Sequence, residues 1–176
     1  LDGKLGAWCR ERLPEFPIAY SWPAVLGSAS VLVKPHIKAR CNLFVCLVGP
    51  IHSAKSQAQE RANFLFSLND LGLLEELKSG SAEGLLEKIG DRQGNPLLWC
   101  PDELSHLLEK AQIQGASFPF ILNSAFYNDT NHLTVAHRKP VHFNARLSIT
   151  GGLVEENFGD SFGSATTAGL YDRFLF

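Results

Sequence analysis

The run Leu43-Phe44-Val45-Cys46-Leu47-Val48 breaks into Gly49-Pro50-Ile51-His52-Ser53-Ala54-Lys55-Ser56, and a helical pattern starts directly behind it. No other stretch limits the fold as much. The apolar run reads as a buried strand. Past Ser56, Ala58, Ala62, Leu65 and Phe66 fall at spacings of four, three and one, an apolar helix face with Gln57, Gln59, Glu60 and Arg61 turned elsewhere. Strand, tight loop with Lys-Ser, and helix start together describe a site for polyphosphate. Such a loop offers backbone N–H groups, the positive end of a helix dipole, one ammonium and one hydroxyl for Mg2+.

The pattern for these loops is G-x-x-x-x-G-K-[ST]. Gly49, Lys55 and Ser56 meet it. Ala54 stands where a second Gly is wanted, because the backbone passes close to the phosphates and needs torsions that a Cβ penalises. The expected nucleotide contacts are Gly49, His52, Ser53, Ala54, Lys55 and Ser56. The competing reading is that Lys55 and Ser56 merely open a surface helix.

With 176 residues, 45% apolar, and a net charge of -2, the chain can bury one core and is a poor candidate for a strong nucleic-acid surface. It has no run of the roughly 18 to 20 apolar residues that span a membrane and no basic-then-apolar leader, so a cytoplasmic setting without membrane attachment is expected. It contains no Met and stops at Arg173-Phe174-Leu175-Phe176 inside a strand-like stretch, which suggests a piece of a longer protein. Cys9, Cys41, Cys46 and Cys100 lack the paired spacing of a zinc site and read as buried thiols. His132, His137 and His142 recur every five residues, a spacing that sends neighbours on one strand to opposite faces and argues against a shared metal. His137-Arg138-Lys139 with Arg146 is either a polyanion contact or a solvated hairpin edge.

Residues 1–42 read as a helical lead-in. Leu5 to Leu13 is one helix, Pro14, Pro17 and Pro23 punctuate, and Ala24 to Val33 is a second helix ended by Pro35. Asn69-Asp70 opens a short helix with Leu73, Leu74 and Leu77. A further helix, capped by Ser79-Gly80-Ser81, carries Leu85, Leu86 and Ile89 and closes at Gly90. The strand Leu97 to Cys100 ends in Asp102-Glu103. In phosphate-loop ATPases such a strand lies beside the one that feeds the loop, its first acid holds Mg2+ and the next takes a proton from the attacking water. Acids at a helix start are also favoured by the dipole alone. Leu104, Leu107 and Leu108 then form a helix face. Leu133 to His137 and His142 to Thr150 read as strands joined by a basic turn, with Ser148 and Thr150 at a strand end where a polar sensor of the terminal phosphate belongs. Glu155 to Asn157 begins a helix, and residues 159–168 form a Gly/Ser/Thr-rich loop. Arg173 is either a finger or sensor for the terminal phosphate or the partner of Asp172 or Glu156.

The order of these parts, with Ser79-Ala82-Glu83-Gly84-Leu85, Leu147-Ser148-Ile149-Thr150-Gly151-Gly152 and Gly169-Leu170-Tyr171-Asp172-Arg173-Phe174, resembles an uncharacterised family of P-loop ATPases of phages, plasmids and other mobile elements, often the C-terminal half of primase-helicase proteins. The resemblance implies an ATPase linked to replication, with DNA as a partner of the full-length protein and a homo-oligomeric ring as working form. It implies that Lys55 binds phosphates, Ser56 and Asp102 the magnesium, Glu103 the water, and Arg173 the phosphate across or beside a subunit interface. His52 and Ala54 depart from the Gly usual there. A P-loop kinase, or a nucleotide-binding structural module without turnover, is the alternative. The expected fold is a three-layer α/β, RecA/AAA-like P-loop NTPase core over residues 43–176, C-terminally incomplete, its mainly parallel sheet built from Leu43–Val48, Leu97–Cys100, Asn144–Thr150 and Arg173–Phe176.

Overall fold

The computed structural model describes residues 3–33, 41–75, 82–92, 94–101, 103–113, 118–127, 130–133, 141–144, 146–162 and 169–176. Strands β1 (Phe44–Gly49), β2 (Leu74–Glu75), β3 (Pro96–Trp99), β6 (Arg146–Val154) and β7 (Phe174–Leu175) form one sheet in the order β2-β3-β6-β1-β7. Every pairing in it is parallel. Strands β4 (Thr130–Leu133) and β5 (Val141–Asn144) make a separate antiparallel pair.

The strands are apolar on both faces because helices cover both faces. Phe44, Cys46, Leu97, Trp99, Leu147 and Ile149 point to one side, against Leu85, Leu86 and Ile89 of α4 (Ala82–Asp91), the buried leucines of α5 (Leu104–Gln112) and Ile121 and Leu122 of α6 (Phe118–Phe126). Val45 and Leu47 point to the other, against Cys9 of α1 (Gly3–Arg12), Ala24 and Val25 of α2 (Ile18–Ser30) and Ala62 of α3 (Lys55–Leu65). Each fully buried Leu or Phe contributes about 1.5–3 kcal/mol relative to exposure, so neither face is dispensable. The result is a three-layer α/β fold. The lead-in helices belong to this core, and the expected boundary at residue 42 separates chain segments rather than folding units. No helix among the described residues is long and apolar enough to cross a membrane.

Several expectations need correction. The second lead-in helix starts at Ile18 and runs through Pro23. Proline removes the bond to the Ala19 carbonyl, but Ala19 lies on the solvent side, where water replaces it. The stretch after Asn69 is turn followed by β2, not a helix, and Leu77 lies outside the described residues, as do Ser79, Gly80 and Ser81. Gln59 is buried at 6% exposure, not turned to solvent. Strand β3 does not lie beside β1, because β6 sits between them and pairs with both. The stretch from His142 splits into β5 and β6, and β6 runs on to Val154. The hairpin register makes His132 and His142 direct cross-strand partners, so single-strand alternation does not separate them. Residues 134–140, including His137, Arg138 and Lys139, lie outside the described residues.

Helix α2 approaches β6 through Gly27, where a Cβ would run into Thr150 Oγ1. Gly→Ala inside a helix ordinarily gains about 1 kcal/mol. Here Gly27→Ala is expected to cost about 1–3 kcal/mol through overpacking, read as a lower urea midpoint. In a Thr150→Ala background the penalty should disappear. An unchanged midpoint for Gly27→Ala alone would count against this contact.

Candidate functional site

Strand β1 leaves the sheet into α3 on one face, whereas β6 leaves through the 3-10 turn Glu155–Asn157 into α7 (Phe158–Phe162), whose aromatic rings pack on the other. Neighbouring parallel strands whose connections part to opposite faces leave a crevice beyond their carboxyl ends, the usual ligand position in such sheets. The loop 49–56 sits at that crevice. The register Leu47↔Gly152 and Gly49↔Val154 sets the tip of β6 opposite the loop. A cavity of about 550 Å³ lies there, lined by the loop from Ile51 to Ser56, by Gly152 to Val154 and by Glu103.

Lys55 opens α3 and is 8% exposed. Its ammonium donates to the carbonyls of Gly49 and Pro50, each at 2.6 Å, and to Ser53 Oγ at 3.1 Å. The loop therefore closes on its own lysine. Ser56 is exposed and lines the cavity. Gly152 keeps this corner open, its missing Cβ falling 3.7 Å from Lys55 Cε and 4.0 Å from Ser56 Oγ. His52 and Ala54 have φ of 62° and 64°, the left-handed region that glycine occupies without penalty. The chain thus adopts the torsions of the glycine pattern with other residues in place.

Glu103 is the residue preceding α5, extended at φ -139°, and makes no capping hydrogen bond. Its side chain is 41% exposed, with His106 Nε2 at 3.7 Å. It comes to the Lys55 and Ser56 cavity from a different strand connection, which local sequence alone does not specify. Asp102 lies outside the described residues.

Two expected site residues are elsewhere. Thr150 registers with Val45, four positions below the level of Gly49 and Val154, or roughly 13 Å along the strand. Its hydroxyl is buried without a hydrogen-bond partner and does not line the phosphate cavity. Ser148 serves packing, its Oγ lying 2.7 Å from Ser30 Oγ and accepting from the Leu43 N–H at 3.2 Å. Arg173 precedes β7, which meets β1 at Phe44 and Val45, the end remote from the loop. Its guanidinium binds the Gly169 carbonyl and Tyr127 hydroxyl and lies 4.8 Å from the Tyr127 ring centroid. A sensor role for Arg173 within its own chain does not fit that position. Nor is it paired with Asp172 or Glu156 by any ion pair among the described residues.

Burial pushes the Cys46 thiol up to about 12, against a smaller downward pull from Lys55, so it stays protonated and is no nucleophile. Tyr20 of α2 is a neighbour that no motif announces. A Cβ on Gly49 would collide with its hydroxyl, which explains glycine at the loop entrance. No protein-family model matches the chain, and no curated protein matches it.

Two outcomes follow from the loop geometry. Gly49→Ala should destabilise by about 1–3 kcal/mol, with a coupling to Tyr20→Ala above about 0.5 kcal/mol in a double-mutant cycle. Additive losses would mean that the two residues do not touch. A left-handed alanine costs about 1–2 kcal/mol, partly offset by the chain entropy that glycine adds, so Ala54→Gly should gain about 0.5–1 kcal/mol and raise Tm by about 2 °C. A fall in Tm would speak against the left-handed torsion.

Proposed function

We propose that this chain is a P-loop NTPase core that binds ATP with Mg2+ and hydrolyses it. The observation that carries the reading is one cavity at the sheet's carboxyl edge bringing Lys55 and Ser56 together with Glu103. Its volume of about 550 Å³ lies in the range of small-ligand sites. Left-handed residues in the loop suit a nest of inward N–H groups for phosphate oxygens. Lys55 would exchange its loop carbonyls for phosphate, and Ser56 with Asp102 would hold magnesium, which supplies charge neutralisation when bound. Glu103 accepts the proton of the attacking water. The resemblance described above extends the proposal to a DNA-replication motor of primase-helicase type, with DNA and further copies of the chain as partners of the full-length protein.

A nucleotide-binding structural module without turnover is the second reading. It draws on the Cβ atoms of His52 and Ala54, because catalysis in this class is positional and small displacements of the loop cost rate. Nucleotide titration beside a phosphate-release assay separates the two. Lys55→Ala is expected to lose ATP affinity. Glu103→Gln is expected to keep it while lowering turnover by about 10²–10⁴. Turnover at the wild-type rate in Glu103→Gln would rule out its role as base, and ATP binding without phosphate release in the wild type would select the structural module.

A further inference from the structure

A second cavity, of about 440 Å³, lies between α3 and the ends of β2, β3 and β6, and shares Lys55, Ser56 and Gly152 with the first. Its lining includes the buried Gln59, Asn63 and Thr150 and the exposed Glu60 and Phe64. A hydrogen-bond network fixes how the amides face. Asn63 Oδ1 accepts from Ser28 Oγ and from Gln59 Nε2, both at 2.8 Å, and Asn63 Nδ2 donates to Cys100 Sγ at 3.5 Å. Gln59 Nε2 also donates to Ser28 Oγ at 3.3 Å.

The donors of this network are therefore committed, whereas Gln59 Oε1 and Thr150 Oγ1 are buried with no partner. Two such atoms forfeit the full desolvation cost of polar groups, and a ligand that donates to them recovers it. The Glu60 carboxylate at the rim adds another acceptor and disfavours anions, while Lys55 is engaged by Gly49, Pro50 and Ser53. Phe64, 69% exposed, supplies an apolar ring at the mouth.

We propose that this second cavity binds a neutral, polyhydroxylated molecule of ribose type, either a free sugar or the sugar of a nucleoside, with hydroxyls donating to Gln59 Oε1 and Thr150 Oγ1. Ligand and phosphate site meet at Ser56 and Lys55, which makes the cavity a place for a co-substrate or effector beside the bound nucleotide. The proposal does not depend on ATP binding, and its test omits nucleotide.

Saturation-transfer NMR on the full chain with D-ribose, uridine and thymidine as probes tests it. Saturable binding of uridine or ribose at millimolar concentration is expected. Gln59→Leu at the floor, and Glu60→Gln and Phe64→Ala at the rim, should each weaken it about threefold to tenfold. The rim variants remove exposed groups and keep the melting temperature, so weakened binding in them reports the site and not the fold. Ribose binding as tightly as uridine identifies a free-sugar site, and uridine binding with ribose silent identifies a nucleoside site. Thymidine, lacking one hydroxyl, should bind more weakly than uridine. No saturable binding of any probe, or binding unaltered by all three substitutions, overturns the proposal. A loss of ATP affinity in Lys55→Ala with probe binding intact leaves both readings standing separately.

Discussion

A nearly buried ammonium at the first residue of α3 reaches back to the carbonyls that end β1, and the rest of the site is arranged around that contact. An unpaired charge at such a position would be costly, so strand end, loop and helix start hold one geometry together. His52 and Ala54 tolerate left-handed torsions because this closure and the strand pairing leave the backbone no cheaper course. The same ammonium is what a polyphosphate would compete for. A ligand therefore exchanges contacts with the loop instead of adding to an empty one.

The parallel pairing of β1 with β6 supplies the second constraint. Their register brings Gly152 and Val154 level with Leu47 and Gly49, so the phosphate loop faces a wall of strand and not open solvent. Beneath α3 the interior turns polar. Ser28, Gln59 and Asn63 link α2 to α3, and Ser30 and Ser148 link α2 to β6. A buried polar network fixes relative orientation more strictly than apolar packing does, because each group must find its partner. Gly27 allows the close approach that the network needs. The lead-in helices thereby become part of the scaffold that sets the loop, with Tyr20 against its entrance.

Much of this arrangement was legible in local pattern. The succession of β1, loop and α3 stood in the run from Leu43 to Phe66, and Leu85, Leu86 and Ile89 and then Leu104, Leu107 and Leu108 marked helix faces that are buried as their spacing requires. Where pattern misled, a tertiary partner was the cause. Pro23 looked like a break, but the packing of Ala24 and Val25 carries the helix through it. Gln59 looked solvent-facing by polarity, and Ser28 and Asn63 satisfy it inside. Thr150 looked like the end of a strand that in fact continues.

By itself, the amino-acid sequence determined the local chemistry: a lysine and serine after a tight loop, strands apolar on both faces, and a carboxylate at the start of α5. Only the tertiary structure decided which of these groups meet. It inserted β6 between β1 and β3, brought Glu103 to the cavity of Lys55, and sent Arg173 to the far end of the sheet. The physical reason is that strand order in a parallel sheet is set by long crossover connections and by the packing of helices on both faces, contacts between residues far apart in the chain that no local periodicity records.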